Sequence, residues 1–191
     1  AKASLTLQDV AIGLYPEFRV QEVSASASPM LLAQGLIRFI DKFPHFCTEQ
    51  TVSKTFPAME VFFKYPDLLK GIDVYALYDD ALAKLRERQT LNGGFSTWTV
   101  YGAVPNEFDS VYAAHFLVKA KEHNFNVPEN MLAKALDYSA SVAGRKPAGL
   151  ADINPAYAAY VLTLSGQVTT NYLIALEEYY QNNYHREWKK S

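Results

Sequence analysis

The amino-acid sequence predicts an all-α chain, and three observations carry that prediction. From Ser28 onward apolar residues recur at helical spacing in blocks of about 14 to 20 residues, punctuated by Pro, Gly and Asn. Two blocks carry related text: "YAAHFLVKA" from Tyr112 and "YAAYVLTLS" from Tyr157 lie 45 positions apart. Each is followed by a second, more polar block, so the repeating unit is a helical hairpin of the kind that builds a solenoid or a closed ring.

Taken in order, residues 1–27 stand apart. "LTLQDVAIGLYPEF" and "RVQEV" alternate and break at Tyr-Pro ahead of "SASASP", which reads as short extended segments and a remnant of a neighbouring β domain. Residues 28–191 then form a helical domain. Its predicted helices are Ser28 to Lys42, Cys47 to Lys64, Ile72 to Gln89, Asn106 to Asn124, Pro128 to Ala143, Asn154 to Ser165 and Thr169 to Trp188. The small, apolar helix of each pair is expected inside, and blocks such as "KLRERQ" and "LEEYYQNNYHREW" are expected to face water.

Composition narrows the function classes. With 191 residues, 49% of them hydrophobic and 14% aromatic, the chain can bury a substantial core. Its 18 basic and 20 acidic residues are mixed along the sequence and leave a net charge of -2, no footprint for nucleic acid or an anionic membrane. No apolar run approaches the roughly 18 residues that span a bilayer, and "AKASLTLQDV" does not read as a signal peptide. A lone cysteine forms neither an internal disulfide nor a Cys-rich zinc cluster, and no cofactor or metal is expected. Cys47 is therefore a buried small hydrophobe or a reactive thiol.

The stretch "HFCTEQTVSKTF" bears on that choice. A helix starting near Cys47 places Cys47 and Gln50 on one face, because side chains at i and i+3 are neighbours. The helix dipole favours a thiolate at that end. Attack of the thiolate on the Gln50 carboxamide, with loss of ammonia, would store an activated acyl group as an internal thioester. Such a bond survives only where water is excluded. Phe43, Phe46, Phe56, Phe62 and Phe63 are suited to that, as is "NGGFSTW", where Gly93 and Gly94 permit a turn that could press Phe95 and Trp98 over the bond.

"FPHFCTEQTVSKTFP" resembles the thioester motif of the α2-macroglobulin and complement superfamily, and is closest to the bacterial α2-macroglobulins. "NGGFSTW", "FDSVYAAHFLVKAK" and "PAYAAYVLTLSG" resemble further family segments in the same order. The resemblance covers most of Ser28 to Trp188 and implies an α/α toroid, in which paired helices form a ring with the thioester near one end of an inner helix. It implies Cys47 and Gln50 as the bond-forming pair, Glu49 as an assisting acid, and Phe95 and Trp98 as the shielding loop. Phe46 stands where bacterial relatives often have a small residue. The implied activity is that of a protease inhibitor rather than an enzyme: after a bait region is cut, a surface amine of the attacking protease takes the Gln50 acyl group and Cys47 leaves as a thiol. Partners would be proteases and other domains of a parent chain in the bacterial periplasm or cell envelope. Seven helices make fewer hairpins than a complete toroid, so the ring is expected to be incomplete and prone to self-association.

Two other readings remain open. A cysteine-nucleophile hydrolase or acyltransferase would use His45 or His115 as its base, and a helical binding scaffold would form no thioester. Against the first, His115 occupies the register of Tyr160 in the next repeat, where a packed histidine is expected. His45 and His115 also stand as candidate aids to acyl transfer. Asp79 and Asp80, adjacent on an outer helix, point apart and read as solvated, and Asp109 reads as a first-turn acid.

Overall fold

The computed structural model describes residues 47–69, 71–98 and 104–188. The predicted extended segment over residues 1–27 and the helix from Ser28 to Lys42 lie outside the described residues, as do His45 and Phe46. Among those described are six α-helices: α1 (Thr48–Lys64), α2 (Val74–Arg88), α3 (Glu107–Glu122), α4 (Glu129–Gly144), α5 (Asn154–Leu164) and α6 (Thr170–Trp188), with a 3-10 turn at Pro66–Leu69. Every helix predicted within this region is present, with ends displaced by at most two residues.

Local chemistry sets those ends. Asp73 caps α2 by accepting from the Ala76 amide at 3.0 Å, and Asn106 caps α3 by accepting from the Asp109 amide at 3.0 Å. α3 ends in a left-handed residue, Asn124 (φ 62°), behind which the Phe125 amide donates to the Ala120 carbonyl at 2.9 Å. Gly166 (φ 86°) ends α5 the same way, with the Gln167 amide reaching the Leu162 carbonyl at 3.0 Å. Pro66 stops α1, since the residue before a proline is driven out of helical geometry.

The helices stack in two layers. α1, α3 and α5 pack on one another in that order, while α2 lies on α1, α4 lies between α3 and α5, and α6 lies on α5. The repeat explains the inner layer. Ala113 and Ala114 in α3, and Ala158 and Ala159 in α5, are all fully buried and let the backbones approach closely. Phe116, Leu117, Val161 and Leu162 follow them into the core at matching positions. Each keeps only a few exposed positions, among them Phe108 and Lys121 on α3 and Ala156, Tyr160 and Thr163 on α5. His115 and Tyr160, which hold equivalent positions in the repeat, lie with ring centroids 5.5 Å apart.

The inner helices all begin at one end of the molecule, and polar side chains tie those beginnings together. Arg145, just past α4, forks onto Glu107 in the first turn of α3 through Nε (2.8 Å) and Nη2, and onto Asp152 ahead of α5 through Nη1 at 2.6 Å. Asn154, the first residue of α5, donates to the same Glu107 at 3.3 Å. Bidentate guanidinium pairing of this kind is stronger than an ordinary surface ion pair.

The Arg145 hydrogen bonds hold the Asp152 carboxyl down at about 2, below its ordinary 3.8. A depressed carboxylate stabilises the fold above its unfolded pKa, and that contribution disappears as the pH falls through the folded value. Arg145→Met is therefore expected to lower the unfolding free energy by about 1 to 2 kcal/mol at pH 7. Urea titrations should show the difference persisting down to about pH 4 and closing toward pH 2.

Candidate functional site

Cys47 is the residue that starts α1. It occupies the N-cap with extended backbone (φ -65°, ψ 169°), and its Sγ accepts the Gln50 amide at 3.4 Å. In return Gln50 Oε1 accepts the Cys47 amide at 3.3 Å. This is a capping box, which ordinarily places Ser or Thr at the first position and Glu or Gln at the fourth. A thiol is a much weaker acceptor than a hydroxyl, so cysteine is a poor choice for capping alone. The arrangement nevertheless wraps both side chains around one helical turn. Cys47 is 7% exposed and Glu49 points to solvent.

The segment from Gly93 to Trp98 holds this turn in place. The Thr48 amide, one of the donors every helix start leaves unsatisfied, gives its proton to the Thr97 carbonyl at 2.9 Å. The Thr48 hydroxyl donates to the Ser96 carbonyl at 2.6 Å. The segment is in turn anchored to α3, where Ser110 Oγ accepts the Phe95 amide at 2.7 Å and donates to the Asn106 carbonyl at 2.5 Å. Phe95 is fully buried in the core; Trp98 is 60% exposed.

Gly93 and Gly94 are required by close approach as well as by the turn. Gly93 has φ 90°, and a Cβ there would sit 2.1 Å from the Lys134 carbonyl oxygen of α4. A Cβ on Gly94 would meet Pro105 at 2.6 Å and the Tyr138 ring at 2.8 Å. Gln89 closes the contact, its Nε2 donating to the Gly93 carbonyl at 3.2 Å and the Met131 carbonyl at 2.9 Å.

Beneath the first turn of α1 lies a charge the sequence did not single out. Arg88, the last residue of α2, is 8% exposed, although the block "KLRERQ" around it was expected to face water. Of that block Arg86 and Glu87 are exposed, and Lys84 and Gln89 are half-buried. Arg88 Nη1 donates to Thr51 Oγ1 at 3.2 Å and lies 3.5 Å from Thr48 Oγ1. Burial pulls its pKa down, opposed in turn by Cys47, Glu87 and Asp109. Asp109, also buried, accepts the Thr97 hydroxyl at 2.7 Å; burial raises its pKa, while that hydrogen bond and Arg88 lower it.

His115 lies elsewhere. It meets α1 at Phe56, more than two turns beyond Cys47, with centroids 4.9 Å apart. Its Nδ1 is paired with the Tyr157 hydroxyl of α5 at 2.9 Å, and burial pushes its pKa down. Asp79 and Asp80 are exposed, the latter paired with Lys84 at 2.5 Å. Among the described residues, no three His, Cys, Asp or Glu side chains are placed to hold a metal, and no helix is long and apolar enough to cross a membrane.

No protein-family model matches the chain. Individual proteins do. The α2-macroglobulin of Rickettsia conorii is 32% identical over 195 residues, covering 98% of this chain and 10% of its own length. An α2-macroglobulin homologue of Yersinia pestis is 28% identical over 180 residues, covering 92% of this chain and 9% of its own. The chain belongs to the α2-macroglobulin family. It spans about one tenth of the length of these curated relatives. Solved bacterial α2-macroglobulins share its fold. A native Escherichia coli structure superposes with a TM-score of 0.62 at 23% identity, covering 80% of this chain and 25% of that one. A Salmonella α2-macroglobulin reacted with methylamine gives 0.63 at 24%, covering 80% and 10%. The match places this chain in the α-helical C-terminal region of those molecules.

The turn at Gly93 offers a direct test of how the α2-macroglobulin fold holds this segment. Gly93→Ala combines a left-handed backbone with a clash against a fixed carbonyl, and is expected to cost about 3 kcal/mol or more in urea unfolding. Gly149→Ala, at a position with nothing within 4 Å, should stay within about 0.5 kcal/mol of the parent.

Proposed function

We propose that the chain is the thioester-bearing segment of a bacterial α2-macroglobulin-like protease inhibitor. The observation that carries this reading is the reciprocal wrap of Cys47 and Gln50 around one buried turn, in a chain homologous to α2-macroglobulins. Sγ of Cys47 attacks the Gln50 carboxamide carbon; a C–S bond forms, the C–N bond breaks and ammonia leaves. Later an amine of an attacking protease adds to the same carbon, a C–N bond forms, the C–S bond breaks, and Cys47 is released with its thiol restored. One molecule captures once, so the role is that of a covalent trap without turnover.

In this reading Gln50 supplies the acyl group and Glu49, exposed beside it, assists proton transfer from the incoming amine. Phe95 fixes the loop that covers the turn from within the core, and Trp98, on the solvent side, meets whatever domain or attacker covers the site. The three inner and outer helix pairs form a sector of the toroid, with residues 28–191 as the helical domain and residues 1–27 as an extended remnant of a neighbouring β domain. Bacterial relatives suggest the cell envelope as the setting. Reaction with methylamine, described for the Salmonella structure, supports the choice of a small amine as probe.

Intact mass spectrometry tests the reading. The chain should weigh one ammonia less than its sequence and resist iodoacetamide until methylamine is added. It should then gain methylamine once, at Gln50, with Cys47 becoming alkylatable in equal amount. A chain of unmodified mass whose Cys47 alkylates freely without amine would remove the thioester, and repeated turnover of a small ester would favour the hydrolase.

A further inference from the structure

We propose that Asp109 is a positioning residue of this site: through Thr97 it keeps the start of α1, which carries Cys47 and Gln50, bonded to the loop from Gly93 to Trp98 and closed to water. The chemical consequence rests on the thioester reading; the mechanical link does not.

Asp109 lies in the first turn of α3 and is 5% exposed. Asn106 caps that helix by accepting the Asp109 amide at 3.0 Å, while the Asp109 side chain reaches the loop, where Oδ2 accepts the Thr97 hydroxyl at 2.7 Å. Thr97 is thereby fixed from both sides, because its carbonyl accepts the Thr48 amide at 2.9 Å. Thr48 follows Cys47 as the first residue of α1, so two hydrogen bonds connect Asp109 to the turn that Cys47 and Gln50 wrap. The hairpin repeat points the same way. Asn154 lies 45 positions after Asp109, the interval that separates Tyr157 from Tyr112. It donates to Glu107 at 3.3 Å and so ties α5 to the start of α3. In the same register Asp109 ties α3 to the start of α1, with Thr97 as the link. A carboxylate is costlier to bury than the amide that serves at position 154. Burial raises the Asp109 pKa, while the Thr97 hydroxyl and Arg88 lower it. What the carboxylate supplies in return is a charged acceptor, which holds a hydroxyl more firmly than an amide carbonyl does.

The consequence for chemistry is specific. A helix start frays unless something outside the helix accepts its unpaired amides, and Cys47 is a weak cap. With Thr97 loose, the Thr48 amide loses its acceptor, the turn opens and water reaches the acyl carbon of Gln50. Water adds there as a C–O bond forms. The C–S bond breaks, its electron pair leaves on Sγ and takes up a proton from the water, and Gln50 is left as a free carboxylate. Asp109 thus lengthens the life of the stored acyl group without touching it.

Residue-resolved hydrogen exchange of the 191-residue chain tests the link whether or not the thioester has formed, and intact mass reports the thioester reading separately. Exchange at the Thr48 amide is compared with exchange at the Leu117 amide, in the buried middle of α3, which reads the stability of the whole. Thr97→Val removes the hydroxyl and Asp109→Leu removes its acceptor; each should speed Thr48 relative to Leu117 by about tenfold. Thr97→Ser, which keeps the hydroxyl, should recover most of that loss. The double variant should be no faster than either single one, since both break the same link. Where the thioester forms, Thr97→Val should gain one water in amine-free buffer about tenfold faster than the parent, with Thr97→Ser recovering again. Thr48 and Leu117 speeding equally, or Thr97→Ser exchanging as fast as Thr97→Val, would overturn the assignment. A thioester that hydrolyses at the parent rate in Thr97→Val would overturn the claim that the link excludes water. Should Asp109→Leu not fold, Thr97→Val and Thr97→Ser decide the matter between them.

Discussion

The first turn of α1 is held by the loop from Gly93 to Trp98, and the site depends on that attachment. A helix start leaves amide donors without partners, and Cys47 is a weak cap for them. The carbonyls of Ser96 and Thr97 take up the amide and hydroxyl of Thr48 instead. Those carbonyls are available there because Phe95 is locked into the core and bonded to Ser110. Phe95 in turn is reached only because Gly93 and Gly94 let the chain pass against α4. The glycines, the aromatic anchor and the capping box form one mechanical sequence, from an outer helix to the turn that bears Cys47 and Gln50.

A serine at position 47 would cap α1 better, and the departure from the ordinary capping box is therefore informative. Local rules are broken where function needs them broken, with the cost offset elsewhere. Here the offset is visible, since the bonds from Thr48 to the loop replace what the sulfur provides poorly. Gln50 completes the cap from the other side. Its carboxamide is folded back onto the Cys47 backbone by the same box, while Cys47 Sγ reaches the Gln50 amide.

Much of this was legible in the sequence. The described helices follow from apolar periodicity and from Pro, Gly and Asn punctuation, and the repeat at Tyr112 and Tyr157 located the inner layer. The Cys47 and Gln50 spacing predicted that the two residues meet at one helix start, and the capping box joins them there. Arg88 was not legible, because in a run of charged residues at a helix end only tertiary packing decides which one is buried. Thr48, Thr51 and Thr97 escaped for a related reason: a threonine carries no signal until its partner, nearly 50 positions away for Thr48 and Ser96, is known. Trp98 shows the converse limit. An aromatic in a glycine-rich loop suggests cover, but Phe95 turns inward while Trp98, three residues on, is mostly exposed.

The topology explains why the chemistry collects at one end. In each helix pair the outer helix returns the chain, so α1, α3 and α5 begin side by side and their positive dipole ends point the same way. Their first turns bring in anions or electron-rich atoms: Cys47 on α1, Glu107 and Asp109 on α3, Asp152 ahead of α5. The outer helices end at the same place, with negative dipole ends that favour cations, and there Arg88 and Arg145 stand. A hairpin repeat thus builds alternating charge along one rim without any special motif. At one point of that rim, the start of α1, a buried thiol stands where the neighbouring junction has carboxylates.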